Sequence, residues 1–327
     1  MSDRPDRSIQ HPSLPPDPLV IVGPTASGKT GLALALAQRF AGVEILSADA
    51  MAVYRGMDIG TAKPTAEERG QVRHHGIDLH EPGEEATVAG YQNHALAVLD
   101  DMANRGVLPI IVGGTGLYVK AVVDRFTVPG RFPKVRAELE AEPDTTKLWQ
   151  RLVDLDPGAA EKILPSNRRR IIRALEVSVG SGQPFSSHGP GVDHYPPTRF
   201  LLVGLDIDRD IMDDRVNARY DRQMADGLLA EVETVHRHGM SRTAAQALGY
   251  RELIAHLEGE MDLDEALAEA KRRTRRFARR QQRWFGRDPR ITWFDAMAPD
   301  LSERVGRWWA DRERSRPGDA DVAAGSR

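Results

Sequence analysis

Cysteine is absent from the 327-residue chain, which excludes disulfides and thiolate metal sites and suits a reducing compartment. Long apolar runs are absent too. No stretch reaches the ~18 to 20 apolar residues of a bilayer-spanning helix, so no membrane partner is expected. Neither sign of charge dominates: 45 Lys and Arg against 48 Asp and Glu leave a formal net charge of −3. The global balance therefore advertises no polyanionic partner. There is no internal repeat. The first eighteen residues hold five prolines and no apolar segment, so 1–17 reads as a disordered leader, not a signal peptide. Residues 313–327 mix Gly, Ala, Asp and Arg and read as a frayed tail.

What is present is 40% apolar residues, enough for a sizeable core, in a length that suggests roughly two domains. One run dominates the reading. Gly23-Pro24-Thr25-Ala26-Ser27-Gly28-Lys29-Thr30 matches the phosphate-binding pattern G-x-x-x-x-G-K-[ST]. An apolar run at 19–22 enters it and a helical pattern at 31–40 leaves it, which is the context the pattern requires. Its glycines let backbone N–H groups converge on phosphate oxygens, and the helix N-terminus adds the positive end of its dipole. Lys29 supplies a mobile charge, and the Thr30 hydroxyl is a candidate magnesium ligand. Nucleotide binding, or binding of another di- or triphosphate, is expected.

Strands are expected at 19–22, 43–47, 108–112 and 200–207, with helical spacing at 88–105. That alternation predicts an α/β fold: a P-loop NTPase-like parallel sheet core with helices on both faces. From 127 the pattern turns helical (135–142, 146–155, 167–180), broken at Pro157-Gly158, Pro165 and 182–184. After Asp208 helices are expected at 211–224, 228–237, 243–257 and 263–285. The predicted organisation is a core over 18–126, a mainly helical insertion over 127–199, and core completion over 200–312.

Several residues are candidates for chemistry. Asp49 ends the second strand, at the sheet edge where ligands gather; it could bind magnesium, orient a hydroxyl or remove a proton, or simply cap a turn. The loop at 57–64 could close over a ligand or be an ordinary turn. His74-His75 suggests metal, but neighbours on a strand point apart and no third ligand follows. Gly113-Gly114-Thr115-Gly116 ends the third strand and permits close approach to a ligand. Arg215, Arg219 and Arg222 share a helical face and could reach the phosphate loop or pair with nearby aspartates. In 271–283 eight of thirteen residues are Lys or Arg and none is acidic, a pattern that attracts nucleic-acid phosphates.

Taken together these blocks resemble the tRNA dimethylallyltransferases (tRNA isopentenyltransferases). The resemblance rests on the phosphate loop, Ser47-Ala48-Asp49 to Arg55, and Gly56 to Pro64. Further blocks are Gly113 to Tyr118, Arg170 to Glu176, Ala247 to Glu252, and Thr274 to Gln281 running on to Trp284-Phe285. It implies transfer of a dimethylallyl group from dimethylallyl diphosphate to N6 of adenosine 37, beside the anticodon, in tRNAs reading codons that begin with U. By that resemblance Asp49 is the general base. Thr25, Lys29, Arg219 and magnesium on Thr30 stabilise the leaving diphosphate. Asp49, Ala50, Met51 and Ala52 line the flipped adenosine. Thr115, Arg136, Arg169, Arg170, Ile171, Ile172, Arg173, Gln246, Ala247, Leu248, Gly249, Tyr250, Arg251, Arg279 and Arg280 contact the tRNA. A cytoplasmic monomer is implied. The chain departs from the family's usual Asp-Ser-x-Gln, carrying Ala50 and Ala52 instead. The alternatives are a small-molecule kinase using ATP, a prenyltransferase acting on free AMP or ADP, and a non-catalytic RNA-binding protein.

Overall fold

The computed structural model describes residues 17–311; the expected leader, apart from Asp17, and the expected tail lie outside them. Six short strands form one parallel sheet: β1 Leu19–Val22, β2 Val43–Ser47, β3 His74–His75, β4 Leu108–Gly113, β5 Leu201–Asp206 and β6 Ile291–Asp295, in the order β3-β2-β4-β1-β5-β6. Every residue of the central β1 is buried, as a strand covered on both faces requires. Leu19 and Ile21 enter one apolar cluster, Val20 and Val22 the other, which follows from the two-residue period of strand side chains. The two outermost strands were not expected. β3 is two histidines long, and β6 alternates buried with exposed residues; neither shows the continuous apolar run that marks the inner strands.

The chain divides into two compact units, one running to Val123 and resuming at Pro197, the other Asp124–Pro196. In the first, α1 Lys29–Arg39, α2 Ala66–Gln71, α3 Val88–Asn104 and α4 Gly116–Val123 precede the break. The second holds α5 Pro133–Ala141, α6 Thr145–Leu155, α7 Pro157–Lys162 and α8 Arg168–Ser181 around Leu139, Leu148, Leu152, Ile171 and Leu175. The first unit then adds α9 Arg209–Ala225, α10 Leu228–Arg237, α11 Tyr250–Leu257, α12 Leu263–Phe285 and α13 Leu301–Ala310. One sheet face packs on side chains of α3, α4 and α9 to α12, the other on those of α1 and α13.

The break expected at Pro157-Gly158 falls between α6 and α7: Asp156 leaves the helical conformation, proline suits the first turn of the new helix, and the Asp156 side chain accepts the Ala159 N–H at 3.0 Å. One expectation is corrected. The single helix expected over 243–257 is a short 3-10 turn, Ala244–Gln246, a bend through Gly249, and then α11.

Candidate active site

The phosphate loop leaves the carboxyl end of β1 and runs into α1. Ala26 sits at φ 65°, a left-handed conformation that costs a non-glycine residue about 1–2 kcal/mol. The surroundings hold it there. Arg215 Nη1 donates to the Ala26 carbonyl at 3.3 Å, and the Thr25 N–H donates to Gln281 Oε1 at 2.8 Å. Gln281, buried on α12, donates through its other end to the Gly114 carbonyl at 2.8 Å. It thus ties the phosphate loop to the glycine turn after β4. Gln281 closes one of the blocks that carry the family resemblance, but nothing local in the sequence marks it for this task, because its partners lie far away along the chain.

Thr25, Gly28, Lys29, Thr30, Asp49, Ala52, Thr61, Lys63, Gly113, Gly114 and Arg219 line one cavity of about 210 Å³. Lys29 Nζ donates to the Pro24 carbonyl at 2.5 Å. Burial lowers its pKa to about 8, against a smaller upward pull from Asp49 and with a further downward push from Arg219; the ammonium is still mostly charged at neutral pH. Arg219 Nη1 donates to the Thr25 hydroxyl at 3.2 Å, and Nη2 to the Gly60 carbonyl at 3.1 Å. Of the three arginines on the α9 face, Arg219 and Arg215 reach the phosphate loop, while Arg222 is exposed.

Asp49 follows β2, as expected. Its Oδ1 accepts the N–H groups of Met51 at 2.8 Å and Ala52 at 3.4 Å. The Ala50 N–H donates to Thr115 Oγ1 at 3.0 Å. Backbone groups and Thr115 therefore hold this turn without the side chains that Ala50 and Ala52 lack. Nearby, Tyr91 and Tyr118 stack with centroids 4.0 Å apart, and burial holds both phenols above their ordinary pKa.

The expected RNA-contact residues separate by exposure. Arg169, Arg170, Gln246, Arg251 and Arg280 are exposed and Leu248 is half-buried. Ile171, Ile172, Ala247 and Tyr250 are core side chains and Gly249 is buried, so their apolar surface is committed to packing. Arg136 is paired with Glu140 at 2.9 Å and Glu176 at 3.3 Å, and Arg173 donates to the carbonyls of Pro129 and Gly130. Much of the basic stretch on α12 is also paired: Lys271 with Asp221, Arg272 with Glu269, Arg273 with Glu252, and Arg279 with Asp213 at 2.6 Å. Arg279 is thus partly committed within the protein. Arg276, Arg280 and Arg283 form the exposed stripe, with Arg280 over the Phe277 ring. His75 bonds Glu44 at 2.7 Å, whereas His74 bonds the Val72 carbonyl; the pair diverges, as adjacent strand residues do.

Residues 52–288 match the sequence model of the family described as IPP transferase, and residues 17–81 that described as isopentenyl transferase. The tRNA dimethylallyltransferase of Bifidobacterium animalis subsp. lactis is 48% identical over 293 residues, 87% of this chain and 84% of its own. That of Streptomyces avermitilis is 48% identical over 298 residues, 89% and 95% of the two chains. The solved tRNA isopentenylpyrophosphate transferase of Bacillus halodurans is 38% identical, with a TM-score of 0.68 over 91% of this chain and 97% of its own. A eukaryotic dimethylallyltransferase solved acting on tRNA is 24% identical and shares the fold, with a TM-score of 0.77 over 93% and 81%.

Proposed function

The chain belongs to the IPP transferase family, and on that premise we propose that it moves a dimethylallyl group from dimethylallyl diphosphate to N6 of adenosine 37 in tRNAs reading codons that begin with U. The activity at its coarser grain, dimethylallyl transfer to tRNA, is that of the curated relatives at 48% identity. The observation that carries the finer reading is a shared cavity. Asp49 faces the same space as Lys29, Thr25 and Arg219, so a proton acceptor and an anion cradle address one bound pair of substrates.

The chemistry follows from that pairing. The adenine amine is a poor nucleophile because its lone pair is delocalised into the ring. As the N6–C1 bond forms and the C1–O bond breaks, the N6 proton passes to Asp49. Oδ1 is already held by two backbone N–H groups, which leaves Oδ2 for the proton. Charge builds on the departing diphosphate, and Lys29, Arg219, the Thr25 hydroxyl and the backbone N–H groups of the loop stabilise it. The phosphate loop thus retains a leaving group instead of aiming a phosphoryl transfer.

Magnesium fits the donor set. Thr30, in the first turn of α1, lines the cavity and carries a hard hydroxyl oxygen, the kind of ligand this ion could combine with substrate phosphate oxygens and water. When bound, it would neutralise part of the diphosphate charge. The adenosine has to leave its stack to reach Asp49. In our reading Asp49 to Ala52 and Thr115 receive it, while Arg169, Arg170, Gln246, Arg251 and the Arg276–Arg280–Arg283 stripe meet RNA phosphates. We read the working form as a cytoplasmic monomer.

The test is labelled dimethylallyl diphosphate offered with tRNA or with AMP, and separately ATP with a small-molecule panel. Label on tRNA alone is expected. Label on AMP alone would make it a free-nucleotide prenyltransferase, and ATP turnover without prenylation a kinase.

A further inference from the structure

Asp58, Ile59 and Gly60 form a tight loop whose three successive N–H groups converge on one carboxylate. Glu231, in the first turn of α10, accepts the Asp58 and Ile59 N–H groups through Oε2, both at 2.8 Å, and that of Gly60 through Oε1 at 3.0 Å. Oε1 also accepts the buried Tyr250 hydroxyl at 2.5 Å. Four donors fill the roughly four acceptor positions a carboxylate has. The carbonyls of the loop are tied as well. Gly60 O accepts Arg219 Nη2 at 3.1 Å and Gln223 Nε2 at 3.2 Å, and Ile59 O also accepts Gln223. A Cβ at Gly60 would run into the Tyr250 ring, so only glycine allows this approach. The contacts make one line: Tyr250, Glu231, the loop, Arg219, and the Thr25 hydroxyl of the phosphate loop.

We propose that Glu231 is a positioning residue for prenyl transfer: by fixing the Asp58-Ile59-Gly60 loop it aims the Arg219 guanidinium at the leaving diphosphate. This rests on the role given to Arg219 above. A long arginine side chain has rotamer entropy to lose, and a carbonyl held from behind by Glu231 selects one of its orientations before substrate binds. Glu231 itself touches no reacting atom.

The test is a double-mutant cycle on the full chain. Glu231→Gln keeps the size but replaces one acceptor oxygen with an NH2 group that opposes N–H donors. Acting through Arg219, it should lower kcat by about 30- to 100-fold, the scale of an ångström-sized misplacement, with the KM for tRNA unchanged. In an Arg219→Ala background the same substitution should change kcat by less than about 3-fold. Amide exchange at Asp58, Ile59 and Gly60, read without substrate, should quicken in Glu231→Gln. Equal kcat losses in both backgrounds, or unaltered exchange, would overturn the proposal. Tyr250→Phe removes one of the four bonds and serves if Glu231→Gln does not fold: a few-fold kcat loss present only with Arg219 intact is expected, and one independent of Arg219 counts against it. Because exchange needs no turnover, a chain inactive on tRNA would sink the functional reading and leave the loop result standing.

Discussion

The two oxygens of Asp49 are not equivalent. Oδ1 is spent on the N–H groups of Met51 and Ala52, so in the proposed reaction the base role falls to Oδ2. Asp49→Ala should therefore cut turnover by at least about 100-fold, the usual weight of a positioned base, and leave tRNA binding in a filter assay intact. Near-normal turnover would remove Asp49 from the mechanism. Thr115→Val probes the support of the same turn by deleting the acceptor for the Ala50 N–H. It should cost about 1 kcal/mol of stability, the net worth of such a bond, and lower kcat. The position of Asp49 was legible in sequence because a strand end beside a phosphate loop is a local pattern. How the turn manages with Ala50 and Ala52 was not, since its hydroxyl comes from Thr115, 65 residues away.

Among the elements, α12 carries the sharpest revision. Its basic run reads as a uniform charged face, but carboxylates of α9 and α11 and one on α12 itself take up several of those charges. The exposed remainder is the Arg276–Arg280–Arg283 stripe. Replacing these three with alanine should weaken tRNA binding and flatten its logarithmic salt dependence by about 0.7 to 0.9 per lost phosphate contact. Arg279→Ala, removing an arginine paired with Asp213, should change the slope less. An unchanged slope in the triple variant would make the stripe a solvated face.

Toward the β3 edge of the sheet, Glu44 on β2 holds Arg105 at 2.7 Å and His75 on β3 at 2.7 Å. Hydrogen bonding from Arg105, aided by His75, lowers its pKa from 4.5 to about 2. The folded state therefore gains stability from the ionised form above pH 4.5 and loses it as pH falls toward 2. Glu44→Gln should flatten the fall in urea midpoint across that window.

Over the whole molecule, the inner strands and the helices with clear apolar spacing were readable because their burial pattern repeats within a few residues. The edge strands β3 and β6 lack it. The contacts that assemble the site were unreadable for another reason. Gln281 meets Thr25 across 256 residues and Glu231 meets Gly60 across 171, and no local period encodes such a pairing. The sheet face behind the phosphate loop depends on α13, whose fully buried Trp309 meets Phe40 edge-on at 5.2 Å and donates to the Asp17 carbonyl. Trp309→Ala should cost about 3–5 kcal/mol, read as a lowered urea midpoint.

The central claim is that one cavity grips a departing diphosphate while Asp49 takes the proton of an extruded adenine. A crystal structure with tRNA and a non-reactive dimethylallyl diphosphate analogue tests it most directly. The account predicts the diphosphate on the N–H groups of the phosphate loop with Lys29 and Arg219, and Asp49 Oδ2 within about 2.6–3.2 Å of N6. A carboxylate turned to bulk water, or a diphosphate seated away from the loop, would contradict it.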